Sequence, residues 1–215
     1  EFLWQEGHTV HATSEEAAVE VDRALKMYED FDRDFLSLPV LTGKKSRKET
    51  FAGALYTLTT EALAKDGKVI QAGTSHHLGQ TFAKSFNVTF QDQNSEIQHA
   101  WQTSWGLSTR IIGTVIVCHG DEKGLVLPPK IAPYQVVMVP IFKTDEEKKR
   151  IFDELNGIKE SLEALNIRVH FDERDTVTPG YKFNEWEIKG VPLRIDLGPR
   201  DLEKSEVTVT RRDGD

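Results

Sequence analysis

The sequence predicts an α+β fold in two parts. An antiparallel sheet backed by helices should occupy 1–132, and a small α/β unit with a largely parallel sheet 133–215. Three observations carry this. Short β-rich runs with glycine punctuation fill 39–90, two helical stretches open on Thr-x-x-Glu caps, and Pro128-Pro129-Lys-Ile-Ala-Pro133 concentrates three prolines in six residues. Prolines so spaced favour a stiff, extended connection.

The elements follow in order. Trp4 to His11 alternates as a strand. Thr13-Ser-Glu-Glu16 sets a hydroxyl at a helix start with a carboxylate three residues on, so each satisfies a free backbone N–H of the first turn. The helix it opens should present Val21, Leu25, Tyr28, Phe31 and Phe35 to a sheet and stop before Pro39. Leu55-Tyr-Thr-Leu-Thr-Thr60 and Val69-Ile-Gln-Ala72 read as strands joined through an Asp66-Gly67 turn. His99 to Ser104 is a further strand, and Leu107, Ile111, Ile112 and Val115 form a helical stripe. Beyond the prolines, Tyr134 to Ile141 reads as a buried strand. Thr144-Asp-Glu-Glu147 opens a helix with an apolar face of Ile151, Leu155, Ile158, Leu162 and Leu165. Ile167–Phe171 is a strand, Phe183–Lys189 a short helix and Val191–Leu197 a strand, an order that makes a right-handed crossover.

Composition narrows the class. A net charge of −8 argues against a protein coated in positive charge for general nucleic-acid binding, although a local basic patch remains compatible with one RNA partner. The single cysteine, Cys118, rules out an intrachain disulfide and a cysteine-built zinc site, which suits a reducing cytoplasm. No apolar run approaches the length of a bilayer span, and the amino terminus does not read as a signal peptide. Both ends are abrupt, so the chain reads as a fragment.

Four constellations bear chemistry. Glu6 and His8 stand two apart, hence on one strand face beside Trp4, a wall suited to a small apolar molecule with a cationic nitrogen. The same spacing fits an exposed edge with scattered polar groups or, less readily, a metal site with His11. Phe51-Ala-Gly with Gln71-Ala-Gly-Thr-Ser-His-His77 offers hydrogen-bonding groups around Gly73, which would let a ligand approach the backbone; a polar turn is the plain alternative. A hydrolytic triad from Ser75 and His76 is disfavoured, because neighbours on a strand point to opposite faces. Ser104-Trp-Gly-Leu-Ser-Thr-Arg110 places a planar, permanently charged guanidinium, suited to phosphate or a stacked purine, after a glycine-containing strand. Finally, Asp172-Glu-Arg-Asp175, Lys182, Glu185-Trp-Glu187, Arg194 and Arg200-Asp201 could read base edges in a single-stranded loop or form an ordinary solvated face.

In this order the segments resemble the prolyl-tRNA synthetases of the archaeal and eukaryotic-like type, a class II aminoacyl-tRNA synthetase family. Phe2-Leu-Trp-Gln-Glu-Gly-His8 is similar to the end of motif 2, and Ser104 through Pro133 to motif 3. Thr178-Pro-Gly-Tyr-Lys-Phe-Asn-Glu-Trp-Glu-Ile-Lys-Gly-Val-Pro192 and Leu197-Gly-Pro-Arg-Asp201 resemble its anticodon-binding domain. The resemblance implies that Gln71, Thr74, Ser108 and Arg110 contact ATP, with Arg110 also catalytic. Trp4, Glu6, His8, Phe51, His76, Ser104 and Gly106 would shape the proline site. Glu187, Arg194, Arg200 and Asp201 would read the anticodon of tRNA(Pro). It also implies Mg²⁺ as cofactor, no protein-held structural metal in this span, a cytoplasmic homodimer and no membrane.

By that resemblance motif 1, the motif 2 arginine, the cysteine-rich zinc domain and the end of the anticodon-binding domain are missing from these residues, so residues 1–215 alone are expected to lack ATP–pyrophosphate exchange. A non-catalytic paralogue serving as an RNA-binding or accessory module is the rival reading. A sister synthetase for threonine, serine or glycine would share the fold, but Phe51, His76 and the Gly180-Tyr-Lys-Phe-Asn-Glu-Trp186 segment argue for proline.

Overall fold

A computed structural model describes residues 3–214; Phe2, where the motif 2-like segment begins, and Glu1 lie outside them. The chain divides into two compact units, Glu1–Cys118 and His119–Asp215.

The first unit is a five-stranded antiparallel sheet in the order β1-β7-β4-β3-β2. Its strands are β1 (Trp4–His11), β2 (Val40–Lys44), β3 (Tyr56–Leu63), β4 (Val69–Gly79) and β7 (Trp101–Ser108). A small hairpin of β5 (Thr89–Gln91) and β6 (Ile97–His99) follows the short helix α2 (Thr81–Phe86). Helix α1 (Ser14–Asp34) opens on the expected reciprocal cap, with Thr13 Oγ1 accepting from the Glu16 amide and the Glu16 carboxylate accepting from the Thr13 amide. It lies on one face of the sheet, where Ser75 Oγ donates to Val21 O at 2.9 Å.

The buried stripe of α1 is Ala17, Val21, Ala24, Tyr28 and Asp32, rotated from the apolar stripe expected; Leu25 and Phe31 are half-buried and Phe35 is exposed. Small alanines let the helix approach the strands closely; Tyr28 Oη donates to Gln5 Oε1 and Asp32 Oδ2 accepts from Thr60, while Asp32 Oδ1 is buried without a hydrogen-bond partner. The Asp66-Gly67 turn joins β3 to β4 as expected, with Gly67 at φ +80° and Lys68 N donating to Asp66 Oδ1 at 3.1 Å. Strand β7 runs further than the sequence suggested. Leu107 belongs to it, and helix α3 (Arg110–His119) buries Thr114, Val115 and Cys118 while Ile112 is exposed.

The second unit is a four-stranded sheet in the order β11-β10-β8-β9. Strand β8 (Val136–Pro140) pairs in parallel with β9 (Val169–Phe171) and β10 (Leu193–Leu197), and β11 (Thr208–Arg211) joins antiparallel to β10. Every residue of β8 is buried because helices cover both faces, which explains its unbroken apolar run. Val136 and Met138 face helix α4 (Asp145–Ala164), packing with Ile151 and Leu155; Val137 and Val139 face helix α5 (Pro179–Ile188), packing with Trp186 and Val191. Ile151 and Leu155 are fully buried, a contribution of about 1.5–3 kcal/mol each. Helix α4 carries the second reciprocal cap, Thr144 with Glu147, but Leu165 falls past its end and is exposed. A last short helix, α6 (Pro199–Lys204), precedes β11.

The division between units falls before Pro128 because residues 119–132 are tied to the second unit. Leu125 N donates to Ile188 O and Leu127 N to Gly190 O, while the Arg168 guanidinium donates to the carbonyls of Pro129, Lys130 and Ala132. Among the described residues no helix is long and apolar enough to cross a membrane.

Candidate functional site

The register of the first sheet sets three cross-strand rows on the face away from α1. Trp4 stands opposite Ser108, Glu6 opposite Gly106 and Thr74, and His8 opposite Ser104 and His76. With Phe51 from the loop before β3 and Arg110 at the start of α3, these residues other than His8 line a cavity of about 310 Å³. Its lining holds Trp4, Glu6, Phe51, Gln71, Thr74, His76, Ser104, Gly106, Ser108 and Arg110. His8 is the one sequence-predicted residue of the set that stays outside the lining. Its Nε2 lies 3.2 Å from Glu6 Oε1, so it flanks the carboxylate rather than the cavity.

One end of the cavity is apolar and tightly held. The Phe51 and His76 ring centroids are 4.9 Å apart, and Phe82 backs Phe51 at 6.5 Å. Thr57 Oγ1 accepts from the Phe51 amide at 3.1 Å and lies 2.9 Å from His76 Nδ1, so one buried hydroxyl holds both the Phe51 backbone and the His76 ring. Burial, followed by the Lys45 charge, pushes His76 down to about 4, leaving it neutral at physiological pH. The other end is polar. Gln71, Thr74, Ser108 and the exposed Arg110 converge there, and the Arg110 amide donates to Ser108 Oγ at 3.3 Å. The start of α3 adds the partial positive charge of a helix N-terminus. At Gly106 a side chain would sit 3.5 Å from Gln5 O and 3.8 Å from the Trp4 ring, so glycine keeps this floor low.

Two local readings change. Gly73 does not open the backbone to a ligand: a Cβ there would lie 2.8 Å from Tyr28 Cδ2, so helix packing demands the glycine. The Gln71–His77 stretch is strand rather than a polar turn, with Ser75 fully buried on the helix side and His76 on the cavity side. That separation excludes a Ser75–His76 hydrolytic pair. Sequence reasoning missed Lys45, whose ammonium donates to Gln71 Oε1, and Thr57; both sit in ordinary strand-like context without a distinguishing pattern.

In the second unit, Glu187 and Arg194 line a shallow pocket with Thr210, Arg211 and Arg212. The Arg194 guanidinium lies 4.0 Å above the Phe183 ring, and its Nε donates to Asp196 Oδ1 at 2.9 Å. Such stacking leaves a flat cationic face pre-oriented. Arg200 and Asp201 sit on α6 and do not line that pocket; Asp201 Oδ2 accepts from the Gly198 amide at 3.0 Å, which caps α6. Arg211 and Arg212 also line the pocket, but Arg211 pairs with Asp213 and Arg212 with Asp121.

The other charged residues of this unit divide: Glu173, Arg174 and Asp175 are exposed, with Lys148 donating to Asp175 and Arg174 to Glu185, whereas Asp172 and Lys182 are interior. Asp172 and Lys182 are almost fully buried, and Lys182 Nζ donates to Asp172 O at 2.8 Å. Burial pulls the Asp172 carboxyl upward, but hydrogen bonds from Arg174 and Trp186 outweigh it and hold it well below the usual carboxylate range.

Residues 135–215 match the family model described as the anticodon binding domain. Over nearly its whole length the chain is similar to proline–tRNA ligases. It is 54% identical to the chloroplastic/mitochondrial enzyme of Arabidopsis thaliana over 99% of this chain and 39% of the relative. It is 53% identical to that of Flavobacterium psychrophilum over 99% of this chain and 43% of the relative, and 52% to that of Chloroflexus aggregans over 99% and 44%. A module for the anticodon, joined to a sheet with this polar and aromatic cavity, defines the class as an aminoacyl-tRNA synthetase. Within that class the chain belongs, as a segment, to the proline–tRNA ligase family. It spans about two fifths of the length of the curated relatives it matches.

Proposed function

We propose that these residues supply the carboxy-terminal part of a class II catalytic domain, within 1–132, and the anticodon-binding domain, within 133–215, of an enzyme that activates L-proline with ATP and charges tRNA(Pro). The reaction is two-step. A proline carboxylate oxygen attacks the α-phosphorus of ATP and pyrophosphate leaves; the terminal ribose hydroxyl of the tRNA then takes the prolyl group and AMP leaves.

The observation that carries this reading is the pairing, in one cavity, of Arg110 with the Phe51–His76 wall. Arg110 and the α3 N-terminus offset the charge of the polyphosphate, while Gln71, Thr74 and Ser108 hydrogen-bond the nucleotide. Trp4, Phe51 and neutral His76 close round the pyrrolidine, Glu6 with His8 faces its ring nitrogen, and Ser104 and Gly106 form the floor. Discrimination from amino acids that differ by a methylene is worth only about 1–3 kcal/mol in such a pocket. Glu187, Arg194, Arg200 and Asp201 contact anticodon guanines.

Mg²⁺ has no protein cage here. Among the described residues no group of three carboxylates, imidazoles or thiols gathers, and Glu6 is the one carboxylate in the cavity lining. Mg²⁺ commonly rests on substrate phosphates and water with one or two carboxylates, so it would arrive with the nucleotide. A cytoplasmic homodimer completes the proposal.

The test is proline-dependent ATP–pyrophosphate exchange in a protein of the relatives' full length. Arg110→Ala should lower kcat/KM by roughly 10²-fold or more, and Phe51→Ala should raise KM for proline about tenfold with a smaller effect on ATP. Exchange that survives Arg110→Ala intact would remove the reading.

A further inference from the structure

Gln71 and Thr74 stand three residues apart on β4 and yet both line the cavity. A regular strand would send them to opposite faces, since successive side chains alternate. The pairing of β3 with β4 supplies the reason. Thr59 pairs with Thr74 and Glu61 with Gln71, so Thr60 alone opposes Ala72 and Gly73, and the register shifts there. One extra residue on β4 makes a bulge, which re-aims the side chains on either side of it.

A bulge leaves backbone groups without ladder partners, and here side chains take them. Gly73 N donates to Thr60 Oγ1 at 2.9 Å, and Thr59 Oγ1 donates to Gly73 O at 3.2 Å. The Thr60 hydroxyl, having accepted from Gly73, donates its own proton to Asp32 Oδ2 at 2.7 Å. Both Asp32 and Thr60 are fully buried between α1 and the sheet, on the side away from the cavity. The Tyr28 ring fills the space that a Gly73 side chain would need.

We propose that Asp32 and Thr60, which line no part of the cavity, are positioning residues for its nucleotide end: the Asp32–Thr60–Gly73 chain of hydrogen bonds fixes the bulge that turns Gln71 onto the face shared by Thr74 and His76. The buried carboxylate fixes the direction of the Thr60 hydroxyl, which leaves the oxygen lone pair free for Gly73. Remove the Thr60 hydroxyl, and Gly73 loses its acceptor in a site closed to solvent, a loss that favours a regular ladder or a shifted one; remove the Asp32 carboxylate, and that hydroxyl is free to turn away. Either outcome rotates Gln71 away from Thr74. This inference rests on the reading of Gln71 and Thr74 as ATP contacts.

Two measurements on the full-length enzyme test it. In ATP–pyrophosphate exchange, Thr60→Val, which keeps the shape and removes the hydroxyl, should raise KM for ATP at least about tenfold while KM for proline stays within about threefold. Thr60→Ser and Asp32→Asn keep the donor and the acceptor respectively, and both should hold KM for ATP within about threefold of the wild type. Equal changes in both KM values, or none, would overturn the proposal. Amide hydrogen exchange on the ligand-free protein gives the second readout. Thr60→Val should deprotect Gly73 selectively, with β7 unaffected; unchanged protection at Gly73 also overturns it. Failure of the ATP reading itself is distinct, since Gln71→Ala would then leave KM for ATP unchanged, and the Gly73 protection still decides whether the bulge is held as described.

Discussion

The indole Nε1 of Trp186 donates to Asp172 Oδ2 at 2.8 Å inside the second unit. Arg174 approaches the same carboxylate with Nε at 2.8 Å and Nη2 at 2.6 Å, and Lys182 Nζ lies 3.7 Å from Oδ1. A single aspartate just past β9 thus ties α5 to the sheet through Trp186 and Lys182 and holds Arg174 as well, so Asp172 and Lys182, which resembled part of a nucleic-acid face, are interior scaffolding.

Removing that carboxylate should be severe. Asp172→Ala leaves Lys182 buried without its counter-charge, and losing one partner of a buried pair costs about 3–5 kcal/mol. Urea denaturation followed by Trp186 fluorescence would read it. Because the folded carboxyl sits below its unfolded value, its contribution is present above about pH 4 and is lost as the pH falls further. A loss under about 1 kcal/mol would contradict the assignment.

Asp32 behaves in the opposite sense. Burial, only partly countered by the Thr60 hydrogen bond, raises it to about 6, with the Tyr28 phenol beside it. A carboxyl raised on folding favours the protonated folded state, so its contribution is full below the unfolded value and falls as the pH rises through about 6. The loss is on the order of 3 kcal/mol between about pH 4 and 7. Asp32→Asn should flatten that part of the stability profile, measured by denaturant midpoints at stepped pH; an unchanged slope counts against it.

His76 should stay neutral throughout the physiological range. Its value of about 4 lies below the ordinary 6.5, so its stabilising effect is complete above the unfolded value and declines as the pH drops toward about 4. An NMR titration of the ring should show no inflection between pH 6 and 8. A midpoint near the ordinary value would mean that the imidazole is not enclosed with Phe51.

Glycine substitutions should split cleanly. At Gly190, with φ +72°, a Cβ would stand 2.5 Å from Leu125 O, so Gly190→Ala meets both strain and rigid backbone and should cost more than about 1 kcal/mol. Gly113, exposed on α3 with nothing within 4 Å of an added Cβ, should gain up to about 1 kcal/mol on mutation to Ala. Thermal denaturation of the two variants gives opposite signs if the account holds.

Much of this architecture was legible because its signals are local. Thr13 with Glu16, Thr144 with Glu147 and the Asp66-Gly67 turn each act within a few residues, and each formed as read. The cavity set was legible through resemblance, and strand alternation then explains how Trp4, Glu6, Ser104, Gly106 and Ser108 share a face. What escaped depends on partners distant in sequence. The face of α1 turned to Asp32 because Thr60 waits on the sheet; Gly73 is a glycine because of Tyr28; Asp172 is interior because Trp186 and Lys182 enclose it. Spacing cannot report a bulge, and period-two alternation misplaces Gln71 for that reason.

The ties between residues 119–127 and α5 bear on how the second unit could be excised. A cut at the prolines, where the sequence invites one, discards Asp121, whose carboxylate grips both terminal nitrogens of Arg212, and Lys123, which faces Glu187 at 3.2 Å. Gly124 would go as well, the residue that nestles against the backbone of Ile188. An autonomous module that preserves the walls of its arginine-lined pocket has to start near His119.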